Sequence, residues 1–288
     1  MMRRPDHGVT LLFVLALLAL TAAIVVAMEV ESDRSITRSQ TYDDAEAAQA
    51  LIAAGEASAL VALRRDGEAA PEIDDAGEAW AKTGQDEVAI GGGRFSLQIS
   101  DAQGLFNLNN LTTEGVLAQQ RLTGIVAALG LDPALAKRII AASGTGHPLA
   151  RLSDLTRRAA ATPSDLATLA QMVTVLPTAT DVNLNAAPVG LISVLLQSAK
   201  LAQTLETKRA AKGFLTALDL QGSGVILPAG IGLRSDFFDL RVTVQVAGTV
   251  QSSQSLIQRR IGPGPVVAAV IARQSMMAAG SPPPPSSP

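Results

Sequence analysis

Cysteine is absent from the 288 residues, which excludes disulfides and thiolate metal sites but not an oxidising compartment. Aromatic residues are scarce at 3%, and Trp80 and Tyr42 are each the only one of their kind. The core must therefore be built from Ala, Leu, Val and Ile, which favours helices over a large sandwich. Histidine occurs twice, as His7 and His147, so acid/base or metal chemistry has almost nothing to work with, and most hydrolase and metalloenzyme readings fail. Charge of one sign is also lacking. A formal −3 without long runs offers no polycation for a nucleic acid to condense on.

Apolar residues, by contrast, make up 48% of a chain longer than the usual single domain of about 100–200 residues. One anchor and one or two packed units are expected. Residues 9–28 form an uncharged run of 20, long enough as a helix to cross the roughly 30 Å hydrocarbon core of a bilayer. Arg3 and Arg4 precede the run while Glu29, Glu31 and Asp33 follow it, so the positive-inside bias keeps the first residues cytoplasmic and exports the rest. A cleavable secretory signal is the competing reading, with Val25-Val26-Ala27 as a poor cleavage site, but the run exceeds the usual apolar length of such signals.

Between Glu29 and Asp66 there is no proline and only one glycine, Gly55, so the membrane helix is expected to continue unbroken to about residue 66. Ala45, Ala48, Ile52, Ala59 and Leu63 recur at helical spacing and form a stripe that must be buried. An acidic, glycine-bearing linker follows. Residues 87–90 and 95–99 alternate around Gly91-Gly92-Gly93 and predict a β-hairpin.

Residues 101–111 then read Asp101-Ala102-Gln103-Gly104-Leu105-Phe106-Asn107-Leu108-Asn109-Asn110-Leu111. Asparagines at this spacing favour turns and helix caps, and with Asp101 the one carboxylate of the run, a structural turn outweighs a metal site. From about Thr112 to Gly224 the pattern is helical with a weak internal repeat. Asn107-Leu108-Asn109 is echoed by Asn183-Leu184-Asn185, and each copy reads as helix, tight turn, helix, loop and a short capped helix. The copies resemble helix-hairpin-helix modules, which often hold DNA phosphates on glycine-rich hairpins. Leu129-Gly130-Leu131-Asp132 supplies one glycine and then a carboxylate, and Gln197-Ser198-Ala199-Lys200 supplies no glycine, so the copies are read as packing units and no nucleic acid is expected. After Gly232 alternation returns at Leu240, Val242, Val244 and Val246, and later strands are expected to join the early hairpin in one sheet. Residues 280–288 are a proline-rich tail.

A short basic leader ending in Gly8, an apolar helix and its amphipathic extension resemble the type IV pilin and pseudopilin signature. That resemblance implies cleavage after Gly8 by a prepilin peptidase and N-methylation of Val9. Most such proteins carry glutamate five residues after the cut, where this chain has Phe13. A carboxylate in lipid is tolerated only if neutralised. In the family it is thought to pair with the amine of the subunit above, and the K-type minor pseudopilin of type II secretion, placed at the filament tip, usually lacks it. The 101–111 run is similar to that family's most distinctive motif at Asp101, Gln103, Gly104, Phe106, Asn107 and Asn109.

The fold implied is α+β: a long N-terminal transmembrane and amphipathic helix, a small antiparallel pilin-like sheet, and a large inserted all-helical domain with helix-hairpin-helix-like repeats. The expected boundaries are leader 1–8, transmembrane helix 9–28, its periplasmic continuation 29–66, linker and first strands 67–106, helical insertion 107–232, C-terminal strands 233–275 and tail 276–288. The resemblance implies a non-enzymatic minor pseudopilin with no catalytic residue. It would stand in the inner membrane with its head in the periplasm, helping to initiate or cap the pseudopilus with I- and J-type partners, and secreted cargo is a further candidate partner. Many relatives bind calcium after the first helices of the insert. Here Ala141-Ala142-Ser143-Gly144-Thr145-Gly146-His147-Pro148 lacks acidic ligands, so no cofactor and no metal are expected. A membrane-tethered DNA-uptake receptor and a type IV pilus minor pilin are the alternatives.

Overall fold

The computed structural model describes residues 6–90, 93–143, 147–246 and 249–278. The chain divides into two units, Met1–Leu51 and Ile52–Pro288. Helix α1 (Asp6–Ala69) supplies the first unit, where the side chains from Leu11 to Met28 are exposed throughout. Leu11–Ala69 is long and apolar enough to cross a membrane, compatible with a single-pass anchor. The helix ends three residues beyond the expected 66. Pro71, which cannot continue a helix, follows its last turn, closed by Ala70 N–H donating to Asp66 O at 2.8 Å.

In the second unit the last turns of α1 lie on a sheet. After α1 come the short helix α2 (Ala79–Lys82), strand β1 (Gln85–Ile90) and strand β2 (Gly93–Asp101), antiparallel to β1 as expected of the hairpin. Its turn residues Gly91 and Gly92 lie outside the described residues, as do Gly144 to Gly146, Ala247-Gly248 and the tail from 279.

The insert follows. Its first copy comprises β3 (Phe106–Asn107), a 3₁₀ turn (Leu108–Thr112), α3 (Val116–Ala128), α4 (Pro133–Ser143), α5 (Asp154–Arg158), α6 (Pro163–Leu169) and β4 (Val173–Thr174). The second comprises β5 (Val182–Asn183), α7 (Val189–Leu195), α8 (Ala199–Lys212), α9 (Ala217–Gln221) and β6 (Ile231–Gly232). Two parallel pairs of two-residue strands, β3 with β4 and β5 with β6, close the copies, so the insert is helical except at these clasps. A clasp that short carries no periodicity for a sequence reading to detect. Leu122, Ile125, Ile139, Leu155, Leu191 and Leu205 are fully buried in the insert's core, each worth about 1.5–3 kcal/mol.

The chain returns through β7 (Phe237–Val246), β8 (Thr249–Arg260) and β9 (Val267–Ala278), giving one antiparallel sheet of order β1-β2-β7-β8-β9. The final strand reaches Ala278 rather than the expected 275 because residues 274–278 still pair with 250–254 of β8. Pairing of Asp101 with Phe238 brings the two ends of the insert side by side. On the helix-facing side, a Cβ at Gly55 would stand 3.1–3.3 Å from Phe95, Val242 and Leu97, so glycine permits the close approach. Of the expected stripe, Ala59 and Leu63 are fully buried in this unit, joined by Glu56 and Asp66, which apolar spacing alone did not reveal.

Candidate functional site

Every motif residue in 101–109 is engaged by the protein itself. Asp101 Oδ1 accepts the Gln103 backbone N–H at 2.7 Å, turning the chain out of β2, while Oδ2 accepts Ser235 Oγ at 2.6 Å and Asn183 Nδ2 at 2.7 Å. Gln103 Nε2 donates to Asp181 O at 3.0 Å, and its Oε1 accepts the backbone N–H groups of Asp236 at 2.6 Å and Phe237 at 3.1 Å. Gly104 presses on the second copy, where an added Cβ would lie 2.7 Å from Ala186 O. Phe106 is fully buried. The motif is therefore a joint between the sheet and both copies of the insert.

The asparagines show why the sequence repeats. Asn107 Oδ1 accepts Asn109 N–H and Leu176 N–H, both at 3.1 Å, while Asn183 Oδ1 accepts Asn185 N–H at 3.0 Å. Two residues on, Asn109 grips Leu149, accepting its N–H at 2.9 Å and donating to its carbonyl at 3.0 Å. Asn185 grips Leu215 in the same way, at 2.7 and 3.3 Å. In both copies a buried amide replaces the sheet partner that the loop after the second helix lacks.

Beside this joint lies a cluster that sequence reasoning missed. Arg259, fully buried at the end of β8, donates to Asp66 Oδ2 at 2.8 Å, to both Asp74 oxygens at 2.5 and 2.6 Å and to Ser235 O at 2.9 Å. Its guanidinium lies 4.8 Å from the Phe238 ring centre, and the Trp80 ring meets Phe238 edge-on at 5.1 Å. Trp80 Nε1 donates to Glu78 Oε2 at 2.9 Å. Asp74 Oδ2 accepts Ser235 N–H at 2.7 Å, and Asn183 Nδ2 reaches Asp74 O at 3.0 Å, so the cluster and the motif form one network. A signal did exist: Arg259 continues the alternation of Ser255 and Ile257 on the buried face of β8. A second ion pair ties α1 to the sheet edge, where buried Glu56 accepts Ser255 Oγ at 2.7 Å and Arg273 Nε at 2.8 Å and pairs also with Arg273 Nη2. A bulge in the β8–β9 pairing sets Arg273 opposite Ser255.

Gly8 and Val9 lie within α1, with their side chains outside the described set, and Phe13 is 72% exposed. The stretch 141–148 is the one expected to lack calcium ligands. It has no carboxylate, and Ser143 Oγ donates to Ile139 O at 2.9 Å, while Arg158 Nη1 donates to His147 O at 2.8 Å across the same loop. In the two helix hairpins, Gly130 and Gln197 take positive φ, 67° and 51°. Gly130 leads into Asp132, whose Oδ1 accepts the Ala134 N–H at 2.9 Å.

No protein-family model matches the chain. Among curated proteins, it is 29% identical over 148 residues to the type II secretion system protein K of Klebsiella pneumoniae, covering 49% of this chain and 45% of that relative. It is 33% identical over 115 residues to the corresponding protein of Pseudomonas aeruginosa, covering 38% and 34%. The matched region thus spans less than half the length of these curated relatives. The fold is similar to a chain in the crystal structure of the GspK-GspI-GspJ complex from the enterotoxigenic Escherichia coli type 2 secretion system, at a TM-score of 0.66 and 22% identity over 84% of this chain and 100% of that one. The chain is thus similar in sequence to two type II secretion system K proteins and in fold to a chain of the GspK-GspI-GspJ complex. In this chain the 101–109 motif lies where β2 passes into the insert, and it bonds both to the second copy and to the segment that leads into β7.

Proposed function

We propose that the chain is a minor pseudopilin acting at the tip of a type II secretion pseudopilus, where it helps to initiate or cap assembly with I- and J-type partners. In this reading α1 anchors it in the inner membrane after cleavage at Gly8, the head stands in the periplasm, and packing surfaces rather than catalysis do the work. The observation that carries the proposal is the insert. A domain this large, spliced into the pilin-like sheet between β2 and β7, suits a position with no subunit above it, and Phe13 suits the same position because there is no amine for a carboxylate to neutralise. Likeness to the K proteins in sequence and to the GspK-containing complex in fold supports it. The test is co-expression of the full chain with the I- and J-type pseudopilins of its own system and purification through a tag on this chain. A stable complex containing both is expected, and recovery of the chain alone under conditions where the other two pair with each other overturns the proposal.

A further inference from the structure

Around Arg259 the buried and half-buried carboxylates outnumber the cations. Asp66 comes from the end of α1, Asp74, Asp75 and Glu78 from the connector that follows it, and Asp101 from the end of β2. Among the described residues Arg259 is the one cation bonded to any of them. One oxygen from each of Asp66, Asp74 and Glu78 lies within 4.8 Å of the other two. Arg65, next to Asp66 in sequence, is exposed and lines a cavity with Asp66 and Ala79, while two further cations are engaged elsewhere. Arg234 pairs with Asp236 at 3.6 Å, which itself faces Asp74 and Asp181, and Lys212, across a shallow cavity from Glu78, pairs with Asp219 at 3.0 Å and lies over the Phe214 ring. Like charges this close in a low-dielectric interior cannot all ionise against one guanidinium.

We propose that Asp66, Glu78 and Asp101, set around the Arg259–Asp74 pair, form a proton-sensitive latch, closed while it holds protons, that fastens the connector and the second copy of the insert to the sheet. The same atoms carry both fastenings. Asp74 N–H donates to Leu233 O at 2.8 Å and its carboxylate holds Ser235 N–H, pinning the connector to the β6–β7 link. Asn183 Nδ2 reaches Asp74 O, Asp101 Oδ2 and Ser235 Oγ, pinning the second copy to the same point. Burial lifts Asp66 to about 6 against the pull of Arg259, with Asp74 and Asp75 adding to the rise. Burial lifts Glu78 to about 7, opposed by the Asp75 N–H and Trp80 hydrogen bonds and aided by Asp66 and Asp74. Burial also lifts Asp101 to about 6, opposed by Ser235, Gln103 and Asn183 and aided by Asp74. As pH rises through this range the cluster gains negative charge with no new cation to meet it, and both fastenings weaken together.

Hydrogen exchange of the full chain in detergent micelles, corrected for intrinsic exchange, tests this at about pH 5.5 and about pH 8. Amides of 72–78 and 181–186 should open at least about tenfold more at the higher pH, with α3 amides as the unchanged control. Glu78→Gln leaves every Arg259 bond intact and keeps an oxygen for Trp80, so it should remove most of that pH dependence, and Asp66→Asn should remove part of it. Equal opening at both pH values in the unaltered chain, or an undiminished pH dependence in Glu78→Gln, overturns the latch. Glu78→Gln decides by itself if Asp66→Asn does not fold.

Discussion

Gly104 illustrates how much one hydrogen atom in place of a methyl can carry. Its Cα faces the backbone of the second copy, and an added Cβ would stand 2.7 Å from Ala186 O, 2.8 Å from Ala186 Cβ and 2.9 Å from Ala186 C. Backbone cannot swing aside as the tip of a flexible side chain can. Gly104→Ala should therefore destabilise the head by about 1–3 kcal/mol through forced separation of motif and second copy, read as a lowered thermal midpoint. Gly124→Ala, whose added Cβ would meet only the Cγ1 of Val194 at 2.8 Å, should cost less because a valine rotamer can yield. At this scale the motif residues were legible because their types are unusual and closely spaced. Asp74 and Arg259 were not legible as partners, since they are 185 positions apart and charged residues read as surface until the strand pairing is known.

Among the elements, the two copies offer an internal comparison. Asn109 makes three buried side-chain bonds beyond its own turn, to Leu149 twice and to Leu176 O at 2.8 Å, whereas Asn185 makes two, both to Leu215. Removing either amide strands buried backbone groups, at about 1–3 kcal/mol for each group left unpaired. Asn109→Ala should thus destabilise more than Asn185→Ala in matched denaturant titrations, and the reverse order would mean that the two grips are not equivalent. The α4–α5 loop gives a second expectation. Its described residues are braced by Arg158 on His147 O and by Asp154 Oδ2, which accepts the backbone N–H groups of Ala150 and Arg151 at 2.9 and 3.1 Å, and a chelator should leave the unfolding midpoint unchanged. The helices of both copies could be read from periodicity. Helix α6 went unread although Thr162, Pro163 and Asp165 spell its start, the side chains of Thr162 and Asp165 each capping the other's backbone N–H. Its seven residues are too few to declare an apolar stripe.

For the molecule as a whole, the order of elements already implied a split sheet, because alternating strands flank a helical stretch. What could not be read was that the split is closed by charge. The consequence appears in how stability follows pH. Asp66, Glu78 and Asp101 bind protons more tightly folded than unfolded, with values of about 6, 7 and 6 against 3.8, 4.5 and 3.8, so in that interval the folded state holds more protons than the unfolded one. The slope of unfolding free energy with pH is then negative, and stability present below about pH 4 from these groups is lost as pH rises through about 6 to 7. Asp154, Asp165 and Asp219 act oppositely. Asp154 receives two backbone N–H bonds, Asp165 and Asp219 close capping boxes, and all three are held below the usual carboxylate range, Asp219 at about 2, so their contribution vanishes as pH falls through those low values. Together the two sets predict a thermal midpoint that peaks in mildly acidic solution and declines by several degrees towards about pH 8. Glu78→Gln should flatten the alkaline limb while leaving the acid limb in place, and Asp219→Asn should do the reverse. A profile flat from about pH 5 to about pH 8 in the unaltered chain would show that the excess buried charge is compensated by groups other than Arg259.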